Sequence, residues 1–141
     1  MHWMLLPLKR YADFGGRSRR LEYWMFHLAI SIVLVVIIAS ILATVLTAGE
    51  GNRGSPVVMG ILIGLFTIGW LGIFIPSIAV QVRRFHDQDL SGWFVLLGFI
   101  PYVGALAIIV FMCLPGTKGD NRFGPDPLDP EGVERLGRVF G

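Results

Sequence analysis

Cysteine and charge are the two things that this chain has least of. Its single cysteine, Cys113, cannot form an intrachain disulfide, so no disulfide framework supports the fold. Charged residues make up 16% of the sequence, whereas soluble domains carry about 25%. The missing charges leave three uncharged runs of 27, 29 and 28 residues, which lie between Glu22 and Glu50, between Arg53 and Arg83, and between Asp89 and Lys118.

These uncharged runs are long enough to cross a bilayer, because one crossing needs about 20 apolar residues. Residues 31–47 (SIVLVVIIASILATVLT) carry no polar stripe, and a helix that is apolar on every face lies in lipid or deep inside a large protein. A chain of 141 residues is too small to bury three such helices. The sequence therefore predicts an all-α membrane protein with about three transmembrane helices.

The pattern divides the chain into three segments. Residues 1–22 form a basic juxtamembrane segment, residues 23–114 form the transmembrane domain, and residues 115–141 form a polar tail. Within the domain the helices are expected near 23–48, 57–82 and 93–114, with a kink in the second helix at Pro76. Pro101 interrupts the third run, which is either one kinked crossing or a re-entrant pair of half-length helices.

Small residues lie at a four-residue spacing in the first two helices, at Gly60 and Gly64 and at Ala39 and Ala43. This spacing lets helix backbones approach closely. We expect the two pairs to pack against each other within the hairpin of the first two helices. Dimerisation through the glycine pair is the alternative.

Basic residues collect at the start of the chain, where five of them face only Asp13 and Glu22, while Arg53 stands alone in the first connection. The positive-inside rule then predicts a cytoplasmic N-terminus. The overall net charge is only +2, and the cations lie beside the apolar runs. This distribution favours lipid headgroups as partners and argues against a nucleic-acid-binding face.

Polar residues form three clusters at the ends of the apolar runs. The first cluster is residues 16–24 (GRSRRLEYW), the second is residues 83–93 (RRFHDQDLSGW), and the third is residues 115–127 (PGTKGDNRFGPDP).

In this order, the three clusters resemble the bacterial inner-membrane proteins of domain-of-unknown-function family 805, the YhaH-like proteins. The matching patterns are Gly-Arg-x-x-Arg-x-Glu-Tyr-Trp, Arg-Arg-x-His-Asp-x-x-x-Ser-Gly-Trp and Pro-Gly-Thr-x-Gly-x-Asn-x-Phe-Gly. The resemblance covers residues 10–127 and implies a bacterial inner membrane. It implies no reaction and no cofactor.

The arginines of the first two clusters are candidates for binding a phosphorylated headgroup, because a guanidinium group donates two parallel hydrogen bonds to phosphate. Glu22 is expected to pair with Arg19, Arg83 or Arg84, because an unpaired carboxylate at the membrane end of a helix costs free energy. The predicted headgroup site comprises Arg17, Arg20, Glu22, Arg83, Arg84, His86, Asp87, Asn121 and Arg122.

Three functions fit these residues. The leading hypothesis is a non-catalytic membrane protein that binds a lipid headgroup or a partner protein through its arginine-rich inner face. The first alternative is an enzyme acting on a phosphorylated lipid, with His86 as base and Asp87 as its orienting group. The second alternative is a homo-oligomeric channel or carrier. The sequence predicts no metal site, because adjacent His86 and Asp87 aim poorly at one ion and no second histidine cluster exists.

Overall fold

The computed structural model describes residues 2–47 and 56–129. Its elements in chain order are helix α1 (His2–Lys9), helix α2 (Arg20–Thr47), helix α3 (Pro56–Asp87), a 3₁₀ helix η1 (Gly92–Phe99) and helix α4 (Val103–Cys113). These described residues contain no strand, so the predicted all-α fold is confirmed. The connection predicted around residues 49–55 and the tail from residue 130 onward lie outside them.

Helices α2 and α3 are long and apolar enough to cross a membrane. Their 28 and 32 residues extend over about 42 and 48 Å, against about 30 Å of hydrocarbon. Their serine and threonine hydroxyls donate back to the carbonyl four residues earlier, which satisfies these polar groups without water. Such bonds run from Ser31 to His27, Ser40 to Val36, Thr44 to Ser40, Thr67 to Ile63 and Ser77 to Ile73.

Helix α3 extends further than the uncharged run predicts. It continues through Pro76 and ends at Asp87, so the start of the second cluster is helical rather than a loop. Arg84 and His86 lie in its last turn, where basic side chains interact favourably with the negative end of the helix dipole. The second cluster is thereby fixed on a rigid element.

The third apolar run is a pair of short helices joined at Pro101, not a single crossing. Helix η1 has eight residues and α4 has eleven, so each is only about 16 Å long. Neither is long enough to cross the hydrocarbon by itself. Of the two alternatives that the sequence leaves open, the structure has the half-length pair.

This η1–α4 hairpin returns to the end of α3 from which it departs. Gln88 Nε2, just beyond α3, donates to the Phe111 carbonyl at 2.5 Å, and the Arg84 side chain donates to the Leu114 carbonyl. On α2, Arg20 donates to the Cys113 carbonyl at 3.2 Å. The chain therefore leaves the hairpin on the side where it entered, and residues 114–129 share that side with the start of α2. We call it the clustered end.

A buried apolar core lies just below the clustered end. It is formed by Tyr23 and Phe26 from α2, Val80 and Phe85 from α3, and Met112 from α4. The halves of α2 and α3 that lie farther from the clustered end are exposed along their length, as expected for surfaces that face lipid. The three polar clusters are thus held together by a core that occupies only one end of the molecule.

Gly60 and Gly64 do not pack as predicted. A Cβ added at either position would meet nothing within 4 Å, so neither glycine lies against α2 and its alanines. The close approach lies elsewhere, at Gly104, where an added Cβ would come within 2.0 Å of the Leu97 carbonyl oxygen. Gly104 is therefore the glycine that lets η1 and α4 pack together.

We predict that Gly104→Ala lowers the thermal unfolding midpoint of the detergent-solubilised protein, because the new methyl group clashes with backbone rather than with a movable side chain. Gly60→Ala is the matched control, since it adds the same methyl group to open space and also improves helix propensity. Equal midpoints for the two variants would contradict the close crossing of η1 and α4.

Candidate functional site

Asp87, in the last turn of α3, is held between two arginines. Arg17 Nε donates to Asp87 Oδ1 at 3.0 Å, and Arg84 Nη1 donates to Asp87 Oδ2. The side chains of Arg17 and Asp87 are only 1% and 7% exposed, and that of Arg84 is fully buried. Removing one partner of such a buried pair leaves an uncompensated charge, so the three groups depend on one another.

Arg17 also fastens the third cluster to α3. Its Nη2 donates to the Thr117 carbonyl at 2.5 Å, and its Nη1 donates to the Gly119 carbonyl at 2.6 Å. The Thr117 N–H in turn donates to the Asp87 carbonyl at 2.8 Å. One guanidinium group thus joins all three clusters.

Gly116 is required by this arrangement. A Cβ added there would lie 2.0 Å from Asp87 Oδ2, so only glycine lets the third cluster pass this close to the carboxylate. The Pro-Gly-Thr start of the third cluster therefore fits the environment of Asp87.

A second buried ion pair lies beside the first. Arg83 Nη2 donates to Glu22 Oε1 at 3.1 Å, and Arg83 Nη1 donates to the Asp13 carbonyl at the same distance. The Ser18 N–H donates to the Arg83 carbonyl. The predicted pairing of Glu22 is confirmed, with Arg83 as the partner. This pair joins the first cluster to α3 independently of Asp87.

The third cluster is a folded turn and not an open tail. The Gly119 and Leu128 N–H groups donate to the two carboxylate oxygens of Asp126 at 3.0 and 2.8 Å. Burial opposes ionisation of Asp126, but these two hydrogen bonds and the positive charges of Arg17 and Arg19 together outweigh it and hold the pKa of Asp126 below its usual range. Asn121 Nδ2 donates to the His86 carbonyl at 2.8 Å, which attaches this turn to α3 as well.

The structure does not place His86 against Asp87 as a base and its orienting group. His86 Nδ1 lies 3.2 Å from the Gly16 carbonyl oxygen, and the imidazole stacks on Phe123 with ring centroids 3.8 Å apart. Both Asp87 carboxylate oxygens are bound by arginine instead. No group of three or more potential metal ligands occurs among the His, Cys, Asp and Glu side chains of the described ranges.

A groove of about 430 Å³ opens beside this network at the clustered end. Its cationic walls are Arg19, Arg20 and Lys118, its acidic residues are Asp87 and Asp126, and its apolar walls include Leu21, Pro115 and Leu128. The structure brings the predicted residues Arg17, Arg20, Glu22, Arg83, Arg84, His86, Asp87 and Asn121 together at the clustered end, but only Arg20 and Asp87 line the groove.

Two of the groove's cations were not among the predicted site residues. Arg19 and Lys118 line it, whereas the predicted Arg122 lies outside it and forms an exposed ion pair with Asp89. The return of the chain through the hairpin is what brings Lys118 to Arg20. The only sequence feature that points to Lys118 as a site residue is its basic side chain within the third cluster.

We predict that Asp87→Asn destabilises the protein by about 3–5 kcal/mol, because it leaves Arg17 and Arg84 buried without a counter-charge. The measurement is the shift of the unfolding midpoint in detergent. Asp89→Asn is the matched control: Asp89 is 48% exposed, and asparagine tolerates its left-handed backbone (φ 57°). The control should lose less than about 1 kcal/mol. Similar losses for both variants would refute the buried network.

Two membrane-length apolar helices, a half-length helical hairpin and an ion-paired polar end together define a helical integral membrane protein. The chain belongs to the family described as Protein of unknown function (DUF805), which matches residues 11–125.

Its relatives are named inner membrane proteins. Inner membrane protein YhaH of Escherichia coli (strain K12) is 45% identical over 131 residues, which cover 92% of this chain and 100% of the relative. Inner membrane protein YhaI of the same strain is 39% identical over 128 residues, which cover 90% and 96%. No solved structure matches the chain. The resemblance expected from the three clusters is confirmed, and the protein is an integral inner-membrane protein.

Proposed function

We propose that this protein is non-catalytic and binds the headgroup of an anionic phospholipid in the groove at the clustered end. The single observation that carries the proposal is the groove itself, which is lined by Arg20 and Lys118 together with apolar side chains. The described residues offer Arg20 one hydrogen-bond acceptor, the Cys113 carbonyl, out of the five N–H donors that a guanidinium carries. Its remaining donors are available to phosphate oxygens.

The charge balance of the groove favours an anion. Three cations line it against two carboxylates, and neither carboxylate is free to repel a ligand at full strength. Asp87 is neutralised by two buried arginines, and both Asp126 oxygens accept backbone N–H groups. A phosphate group entering the groove therefore meets a positive potential.

The position of the groove suits a lipid better than a free phosphate. Trp24 lies one helical turn beyond Arg20 and is exposed, so a cation and an amphipathic aromatic follow each other along the membrane-facing side of α2. This order is typical of the headgroup level of a bilayer. The exposed side chains of Leu21 and Leu128 give the groove an apolar surface, which suits a ligand with acyl chains.

In this proposal the buried arginines position the groove and do not touch the lipid. Arg17, Arg83 and Arg84 direct their guanidinium nitrogens at Asp87, Glu22 and backbone carbonyls. Replacing them would disturb lipid binding indirectly, through the fold of the clustered end.

The clustered end is proposed to face the cytoplasm, with the N-terminus on that side. The basic residues of the first cluster, Lys9 and Arg10 precede or begin α2, and Lys118 and Arg122 join them through the returning hairpin. Positive charge concentrated at one end of the helices favours the cytoplasmic side.

Arg20→Gln should weaken the binding of phosphatidylglycerol, measured by native mass spectrometry of the solubilised protein during a titration with that lipid. The loss of a solvent-accessible charge-assisted contact corresponds to about 1 kcal/mol, or roughly a fivefold rise in Kd. Binding of zwitterionic phosphatidylcholine should change much less.

Arg122→Gln is the matched control, because it removes the same charge from the same end of the molecule but lies outside the groove. The proposal fails if both variants bind phosphatidylglycerol equally well, or if the wild type does not prefer it over phosphatidylcholine.

A further inference from the structure

A second pocket, of about 480 Å³, lies beside His86 at the clustered end. Three aromatic side chains line it, those of Phe14, Trp93 and Phe123. Its polar side chains are those of His86 and Ser91, and no charged side chain of the described ranges takes part in its walls. We call it the aromatic pocket. Its volume lies in the range of small-molecule sites, about 300–1,000 Å³.

His86 presents one ring nitrogen in a defined chemical state. Its imidazole is held by stacking on Phe123, with the two ring planes 3° apart. Nδ1 lies 3.2 Å from the Gly16 carbonyl oxygen, which can only accept a hydrogen bond, so Nδ1 carries the hydrogen. Because an imidazole is largely uncharged at neutral pH, Nε2 then carries a lone pair. His86 Nε2 is therefore a hydrogen-bond acceptor.

Gly92 leaves this acceptor uncovered. A Cβ added at Gly92 would lie 3.2 Å from His86 Nε2 and 2.8 Å from Val82 Cγ1, so a larger residue would fill the space beside the nitrogen. Within residues 2–47 and 56–129, no group donates a hydrogen bond to Nε2. Since Gly92, Val82 and His86 all line the aromatic pocket, a ligand reaches the open nitrogen from that pocket.

The walls define the chemistry of a ligand by three properties. The ligand is uncharged, because a charge buried without a counter-charge is costly. It carries a hydrogen-bond donor, because His86 Nε2 is an acceptor. It carries a flat ring, because aromatic walls favour offset or edge-to-face ring contacts beyond simple burial of area.

The remaining walls suit a ligand that dissolves in the membrane. Val82 and Val95 are apolar, and Trp93, which is exposed, begins the third uncharged run. Tryptophan at the end of an apolar run is typical of the level where lipid headgroups meet hydrocarbon. A ligand with an apolar tail can therefore enter from the lipid.

We propose that the aromatic pocket binds an uncharged, membrane-soluble phenol, whose hydroxyl donates a hydrogen bond to His86 Nε2 while its ring packs among Phe14, Trp93 and Phe123. Reduced quinones carry ring hydroxyls and belong to this class, whereas oxidised quinones offer only carbonyl acceptors. This inference does not depend on the proposed headgroup binding, because the aromatic pocket and the groove share no residue.

Isothermal titration calorimetry of the full-length protein in detergent tests the proposal with three probes that share a hexyl chain. The first, 4-hexylphenol, has both the flat ring and the hydroxyl. Its methyl ether, 4-hexylanisole, lacks the donor, and 4-hexylcyclohexanol lacks the flat ring. We expect 4-hexylphenol to bind with a Kd about fivefold lower than that of the ether, and roughly threefold lower than that of the cyclohexanol.

These comparisons use the unmodified protein, so they do not depend on how a variant folds. Equal Kd values for the phenol and its ether would overturn the proposal, because the pocket would then hold only an apolar group such as a lipid acyl chain. Equal Kd values for the phenol and the cyclohexanol would also overturn it, because the aromatic walls would then select no ring.

His86→Phe tests the role of the imidazole, since it keeps an aromatic ring but removes Nε2. The preference for the phenol over its ether should disappear. His27→Phe is the matched control: His27 is also partly buried with Nδ1 against a carbonyl oxygen, that of Tyr23, but it lies outside the aromatic pocket. The control should keep the preference. A preference that persists in His86→Phe, or is lost in both variants, would contradict the assignment of the acceptor to His86.

Discussion

The structure depends on one carboxylate, that of Asp87, which is shared by two buried arginines. Arg84 reaches it from the same helix, and Arg17 reaches it from the segment before α2. Arg17 also binds the Thr117 and Gly119 carbonyls. The side chain that neutralises Asp87 therefore also fixes the position of the returning chain. The other N–H donors of Arg17 find their carbonyl acceptors only when the third cluster returns to α3, and that return requires the hairpin at Pro101.

The hairpin that returns the chain to α3 is short, and its tip is irregular backbone. The buried core near Phe85 and Met112 is small, and ion pairs and hydrogen bonds to backbone carbonyls add to it at the clustered end. The hairpin tip at Tyr102 meanwhile has a positive φ and is exposed in the single chain. The proposed headgroup site uses the positive potential at the clustered end.

Much of this fold follows from the sequence, because long uncharged runs have few physical solutions. The membrane helices, the Glu22 pairing and the meeting of the first two clusters belong to that part. The hairpin could not be predicted, since Pro101 is compatible with a kink as well as with a return. The burial of Arg83 and Arg84 could not be predicted either, because arginines that face lipid headgroups and arginines that pair with buried carboxylates have the same sequence pattern. Arg19 and Lys118 could not be predicted as groove residues, because the groove exists only once the chain has folded back.

The side of the membrane on which the C-terminus lies tests the central claim most directly. Reporters that respond to the compartment, green fluorescent protein and alkaline phosphatase, can be fused in turn after Gly141 of the full chain. The account predicts a fluorescent fusion and an inactive phosphatase, which would place the C-terminus in the cytoplasm with the first cluster. An active phosphatase would contradict it, because with the first cluster in the cytoplasm a third full crossing would separate Thr117 from Arg17 and Asp87 by the thickness of the bilayer.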